Sequence, residues 1–156
     1  MPAFHPTAAQ FRAFRDDEHG GTVSQVNLLK FRVKAEYKRS DPEYGEDCDG
    51  QTAYVRYSEA FTEIAAEVGG TTTLLATVER YFIGGGDWDG VLVNTFPNRA
   101  AFIATLNHEK YKSISRHRDA GLLAQDLLVT RPLWLNGEQQ KCPILKSTAC
   151  WARPIR

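Results

Sequence analysis

What most constrains this chain is a change of hydrophobic period along it. Residues 23–32, VSQVNLLKFR, read as an interior strand in which Asn27 interrupts Val26, Leu28, Leu29 and Phe31, whereas Tyr54, Tyr57, Phe61, Ile64, Ala65 and Val68 recur at spacings of three and four. The first predicts a strand whose alternate residues share a face, and the second a helix over 51–68 with one apolar stripe. The chain then returns to β-formers: TTTLLATVERYFIG, the turn-like GGGDWDG and VLVNTFP predict a hairpin with strands over 72–83 and 90–96. Asn98 is placed to cap a helix through Leu106, with Phe102 and Ile103 inward, and Asn107 to cap a second helical piece carrying Tyr111 and Ile114. A last strand is expected within LLAQDLLVTRPLWL.

The order strand, helix, strand, strand, helix, strand predicts an α+β domain of the ferredoxin-like, split βαβ kind, with a four-stranded antiparallel sheet. Its helices occupy one face only. The simplest cover for the other face is a second copy related by a two-fold axis, so a homodimer forming a dimeric α/β barrel is expected. Ahead of this unit, residues 7–17 carry Phe11, Ala13 and Phe14 and predict a short helix ended by Gly20 and Gly21. Residues 33–50, VKAEYKRSDPEYGEDCDG, form a loop long enough for a lid or a partner contact. Residues 1–135 read as one domain and 136–156 as an extended arm.

Composition narrows the function classes. Lys+Arg and Asp+Glu balance at 19 each, so no basic field favours nucleic acid. No apolar run approaches the roughly 20 residues needed to span a membrane, and the N-terminus lacks the charged-then-apolar order of a secretory signal. Three cysteines, Cys48, Cys142 and Cys150, are an odd number at non-zinc spacings. They favour reduced thiols and a cytoplasmic setting, a Cys142–Cys150 disulfide being the alternative. No spacing of His with Cys or carboxylates suggests a metal site, and GGGDWDG lacks the strand-to-helix setting of a phosphate loop.

Several segments in order, VNLLKFR, AYVRYSEAF, VGG, WDGVLVNTFPNRAAF and YKSISRHRDAGL, resemble the dimeric α/β-barrel family catalogued as domain of unknown function thirteen-thirty. The resemblance spans roughly residues 23–132. It implies the ferredoxin-like dimer and little chemistry. The wider superfamily it points to includes cofactor-free monooxygenases, polyketide cyclases, muconolactone-type isomerases and haem enzymes, with pockets commonly between each sheet and its own helices.

Candidate site residues follow from faces. Asn27 and Asn94 interrupt two apolar strands expected to form the central pair, and with matched pleats both amides line one face. They serve either as hydrogen-bonded core residues or as a polar spot on an apolar pocket wall. Glu79 and Tyr81 share a strand parity that joins this face unless the register slips by one residue. His117 ends a stripe with Ile103, Leu106, Lys110 and Ile114 if one helix runs through, and is the side chain best suited to take a proton near neutral pH. Arg118 beside it suits an anion anchor, Tyr54 and Tyr57 supply hydroxyls from the inner stripe of the first long helix, and Trp88 is a loop plug or a pocket wall. The expected function is a small enzyme without cofactor that moves a proton on a hydrophobic carbonyl or phenolic metabolite, as an isomerase, lyase, cyclase or monooxygenase. His117, Asn27 and Tyr54 are the expected catalytic groups; Arg118, Asn94, Trp88, Tyr57, Tyr81 and Glu79 would bind substrate. The rival is a non-catalytic dimer that binds a small ligand or a partner, and haem ligation by His117 is a third expectation.

Overall fold

A computed structural model describes residues 4–18, 20–135 and 138–139. Its elements run α1 (Ala8–Arg15), β1 (Val23–Phe31), α2 (Gly50–Glu67), β2 (Thr71–Thr77), β3 (Gly90–Phe96), α3 (Arg99–Leu106), α4 (Tyr111–Gly121), β4 (Leu122–Thr130), and the two-residue strands β5 (Trp134–Leu135) and β6 (Glu138–Gln139). The main sheet is antiparallel throughout, in the order β2-β3-β1-β4. With α2 between β1 and β2 and α4 between β3 and β4, this is the ferredoxin-like arrangement.

Helix starts follow their capping residues. Asp49 accepts the Thr52 N–H at 2.7 Å and Asn98 the Ala101 N–H at 2.8 Å, while Thr7 and Gln10 form a reciprocal box at α1. The helix α2 ends at Gly69, whose φ of 77° lies in the left-handed region. Asn107 differs from expectation: it closes α3, donating its N–H to Ile103 O, and the N-cap of α4 is Lys110, which makes no side-chain capping bond. Turn hydrogen bonds through His108 separate the two helices, so Ile103, Leu106 and His117 do not share one continuous stripe.

The expected strand 72–83 stops at Thr77. Its neighbour β3 begins at Gly90, and after Val78 donates its N–H to Asp89 O there is no strand edge left to pair with. Residues 79–88 form a loop instead, closed where the Trp88 N–H meets the Tyr81 hydroxyl at 2.9 Å. Phe82 and Ile83 at its tip are almost wholly exposed. Within β2 the register shifts between Thr72 and Leu74, so Thr72 and Leu75 both take positions opposite inward residues of β3.

Core burial lies on one face of the sheet. Val23, Gln25, Asn27 and Leu29 of β1 and Leu92, Asn94 and Phe96 of β3 are at most 4% exposed, under Tyr54, Tyr57 and Phe61 of α2. Rings form a chain from Phe31 through Tyr54, Tyr57, Phe61 and Phe96 to Phe102, with centroids 5.3 to 6.5 Å apart. The outer face, carrying Val26, Leu28, Val91 and Val93, is only partly buried, and Leu74 and Leu128 on it are about half exposed. Beyond β6 the expected arm lies outside the described residues, as do His19, Cys142 and Cys150.

Candidate functional site

Between the inner sheet face and the helices lies a cavity of about 1090 Å³, closed at one end by α1 and the residues before it. Four carboxamides on strands border it: Gln25 and Asn27 from β1, Asn94 from β3 and Gln125 from β4. Alternation accounts for this. Asn27 stands opposite Leu92 and Leu127, and Gln25 opposite Asn94 and Val129, so two-residue steps keep all of them on the helix side.

Asn27 is fully engaged. Its Nδ2 donates to Gln25 O at 3.3 Å and Leu92 O at 3.2 Å, and its Oδ1 accepts from Gln125 Nε2 at 2.7 Å. The amide that interrupts β1 thus ties three strands together. Asn94 Oδ1 bonds Thr72 Oγ1 at 2.9 Å, and Thr72 in turn meets Thr62 of α2.

Across the cavity stand Tyr54, Tyr57 and Phe61 of α2, with Tyr111 and Arg118 of α4. Arg118 is 5% exposed. Its Nη1 donates to the Tyr111 hydroxyl at 3.0 Å, its Nε and Nη2 to Asp119 Oδ1 at 3.0 and 2.8 Å, and its guanidinium lies 5.7 Å from the Tyr57 ring centroid. Burial disfavours its charge, but Tyr111, Tyr57 and Asp119 outweigh that and hold it protonated. Burial raises the phenol pKa of Tyr54 and that of Tyr57 well above its ordinary range, so both hydroxyls keep their protons as donors. The wall therefore combines aromatic surface with a buried cation and protonated hydroxyls. Such a set holds an apolar body by burial and stabilises negative charge on an oxygen.

Of the expected residues, Asn27, Tyr54, Asn94, Tyr57 and Arg118 border this cavity. Glu79, Tyr81 and Trp88 do not: the early end of β2 carries them into the exposed loop after Val78. His117 is also elsewhere. One residue before Arg118 on α4, it turns to the loop 33–50, where its Nδ1 lies 2.7 Å from the Tyr37 hydroxyl and its Nε2 3.8 Å from Glu43. Burial and Arg116 lower its pKa, so it is neutral near pH 7 and its approach to Glu43 is not an ion pair. Held this way, His117 offers no nitrogen to a molecule in the cavity, nor to a haem iron there. Gln25, Tyr111 and Gln125 are functional candidates that the sequence reading passed over. Gln25 was legible, because it shares the parity of Asn27; Tyr111 read only as an apolar helix residue.

The family model described as "Domain of unknown function (DUF1330)" matches residues 46–131. Among solved structures, the Rhodopseudomonas palustris protein of unknown function RPA0582 is 26% identical, with a TM-score of 0.73 over 86% of this chain and 100% of that one. Its methylated form gives 26% identity and a TM-score of 0.74 over 86% of this chain and 98% of that one. A Mesorhizobium loti dabb family protein with a ferredoxin-like fold is 13% identical, with a TM-score of 0.44 over 73% of this chain and 99% of that one. Proteins of curated function give no match. With its family model matched over more than half its length, the chain belongs to the DUF1330 family.

Proposed function

We propose that this protein binds a small, largely apolar molecule bearing a carbonyl or phenolic oxygen in the cavity between sheet and helices, and polarises that oxygen. One observation carries the reading: a buried, protonated Arg118 borders a 1090 Å³ space otherwise rich in aromatic rings. Polarising a carbonyl is the step that cofactor-free isomerases, lyases, cyclases and monooxygenases share, because the donors stabilise the charge left when an adjacent proton departs. Arg118, Tyr57 and Tyr54 are the groups we assign to that role. Asn27 supports the floor through its strand-to-strand bonds.

A second reading, binding without turnover, is favoured by a specific feature. Among the described residues, the imidazole bordering the cavity is that of exposed His5, while His117 faces the loop. In both readings we infer a homodimer formed through the outer sheet face, supported by half-exposed Leu74 and Leu128 and partly buried Val26, Leu28, Val91 and Val93 on it. A cytoplasmic setting belongs to the same reading, supported by the free thiol of Cys48. No helix of the described residues is long and apolar enough to cross a membrane.

The test is native mass spectrometry of the protein as purified, followed by thermal-shift screening with aromatic acids, ketones and phenols. Arg118→Met should abolish stabilisation by every binder found. Stabilisation that survives in Arg118→Met places the ligand elsewhere.

A further inference from the structure

Gln25 carries an unmet donor. It lies on the inner face of β1, 1% exposed, between Asn94 of β3 and Val129 of β4, and borders the cavity. Its Nε2 is buried with no hydrogen-bond partner. A buried amide nitrogen left unpaired destabilises the folded state, and native proteins hold few such groups without a reason. Asn27, two residues along the same face, has its donor and acceptor both engaged, and Gln125 donates to it. Elsewhere on the cavity wall Arg118 has no acceptor atom and the Tyr54 and Tyr57 hydroxyls retain their hydrogens, while Asp17 and Asp126 carry the carboxylates. A donor left unmet at the cavity wall is complementary to an acceptor.

We propose that Gln25 anchors the ligand, and that the ligand carries an acceptor-only oxygen head, a carboxylate or a ketone, on an aromatic or otherwise apolar body. The inference rests on the binding reading above and specifies the chemistry of its ligand. Ligand binding supplies the partner that Gln25 Nε2 lacks, so the unpaired donor at the cavity wall becomes affinity for one kind of head group. Aliphatic and aromatic bodies then differ by fit, whereas amines and unsubstituted hydrocarbons are disfavoured by leaving the donors unmatched.

The experiment titrates the full chain with naphthoate, naphthylmethylamine and methylnaphthalene by calorimetry and thermal shift, beside Gln25→Met, which keeps length and removes the donor. Naphthoate should bind wild type at least about tenfold more tightly than the other two, the scale of one charge-assisted hydrogen bond. Gln25→Met should melt at or above the wild-type temperature when empty, bind naphthoate about tenfold more weakly and leave methylnaphthalene unchanged. Equal binding of naphthoate and methylnaphthalene would overturn the head-group assignment and leave the cavity reading standing. Binding of none of the three removes both. A Gln25→Met variant that melts several degrees lower, or does not fold, shows Gln25 to be structural and overturns its anchoring role; the wild-type series then decides the head group by itself.

Discussion

Two regions meet at α4, and consecutive residues serve them. His117 belongs to the loop side and Arg118 to the cavity side, because successive helix positions are about 100° apart. On the loop side three pairs are matched: Tyr37 with His117, Glu43 with Arg116 in a two-pronged pair at 2.7 and 2.8 Å, and Arg56 with Glu46, although Arg32 Nε at the loop's base has no partner. On the cavity side Arg118 is bonded to Tyr111 and Asp119, but Gln25 Nε2 has no partner. Both regions are rich in charge and aromatic rings. Satisfied polar groups hold a chain in place, while unsatisfied ones facing a cavity remain available to a ligand. The histidine that looked most reactive in the sequence sits on the satisfied side.

Three changes break or sharpen this division. The largest effect is expected from Gly121→Ala, at the end of α4 where the two regions share a wall. A Cβ there would lie 2.4 Å from Gly50 O and 3.0 Å from Tyr54 N, and backbone at that distance cannot move aside without separating α4 from α2. A loss of at least about 3 kcal/mol is expected in urea denaturation. A variant within about 1 kcal/mol of wild type would show that the helices can part at little cost.

Glu43→Gln should have an intermediate effect confined to the loop. Hydrogen bonds from Arg116 hold the Glu43 carboxyl at about 2, against an ordinary value of 4.5. A lowered folded-state pKa means that the ionised form stabilises the fold: its contribution is complete above about pH 4.5 and disappears as pH falls from there toward 2. At pH 7 the variant should lose about 1–2 kcal/mol and be cut faster by protease within residues 33–50. Ligand affinity should not change; a fall in affinity would join the two regions that the geometry separates.

The smallest effect belongs to His117→Phe. Burial, then Arg116, lower the histidine pKa from 6.5, so the neutral ring is the folded form. Its support is complete above about pH 6.5 and is lost as pH falls below that, when the unfolded chain binds the proton first. The variant should stay within about 1 kcal/mol of wild type at pH 7.5 and flatten the decline of stability just below pH 6.5. Turnover or binding in the cavity should persist. Its abolition would restore His117 to the site.

The fold was largely legible because each element carries its own periodicity and punctuation. The Tyr54–Val68 stripe, the capping Asn98 and the alternation around Asn27 are local signals that the tertiary structure preserves. The misreadings fall where a neighbour decides. TVERYFIG has strand composition, yet its ladder stops at Gly90, where β3 begins, and Glu79 and Tyr81 lie outside the sheet. His117 appeared to close a stripe that needed one helix, but the turn at His108 broke it. For the cavity, Asn27, Asn94, Tyr54, Tyr57 and Arg118 were within reach of sequence reading because face and parity are set by short-range geometry. Gln125 and Tyr111 were not, since their relevance depends on strands and helices distant in the chain.

By itself, then, the amino-acid order determined which segments become strands and helices, which side of each is apolar, and that amides stand on the inward side of the central strands. These are consequences of backbone period and side-chain chemistry within a few residues. Only the assembled structure decided which of those amides are satisfied and which way α4 turns His117 and Arg118. Hydrogen bonding is an account between groups many positions apart: Gln125 can occupy Asn27 and leave Gln25 unpaired only once β4 lies against β1.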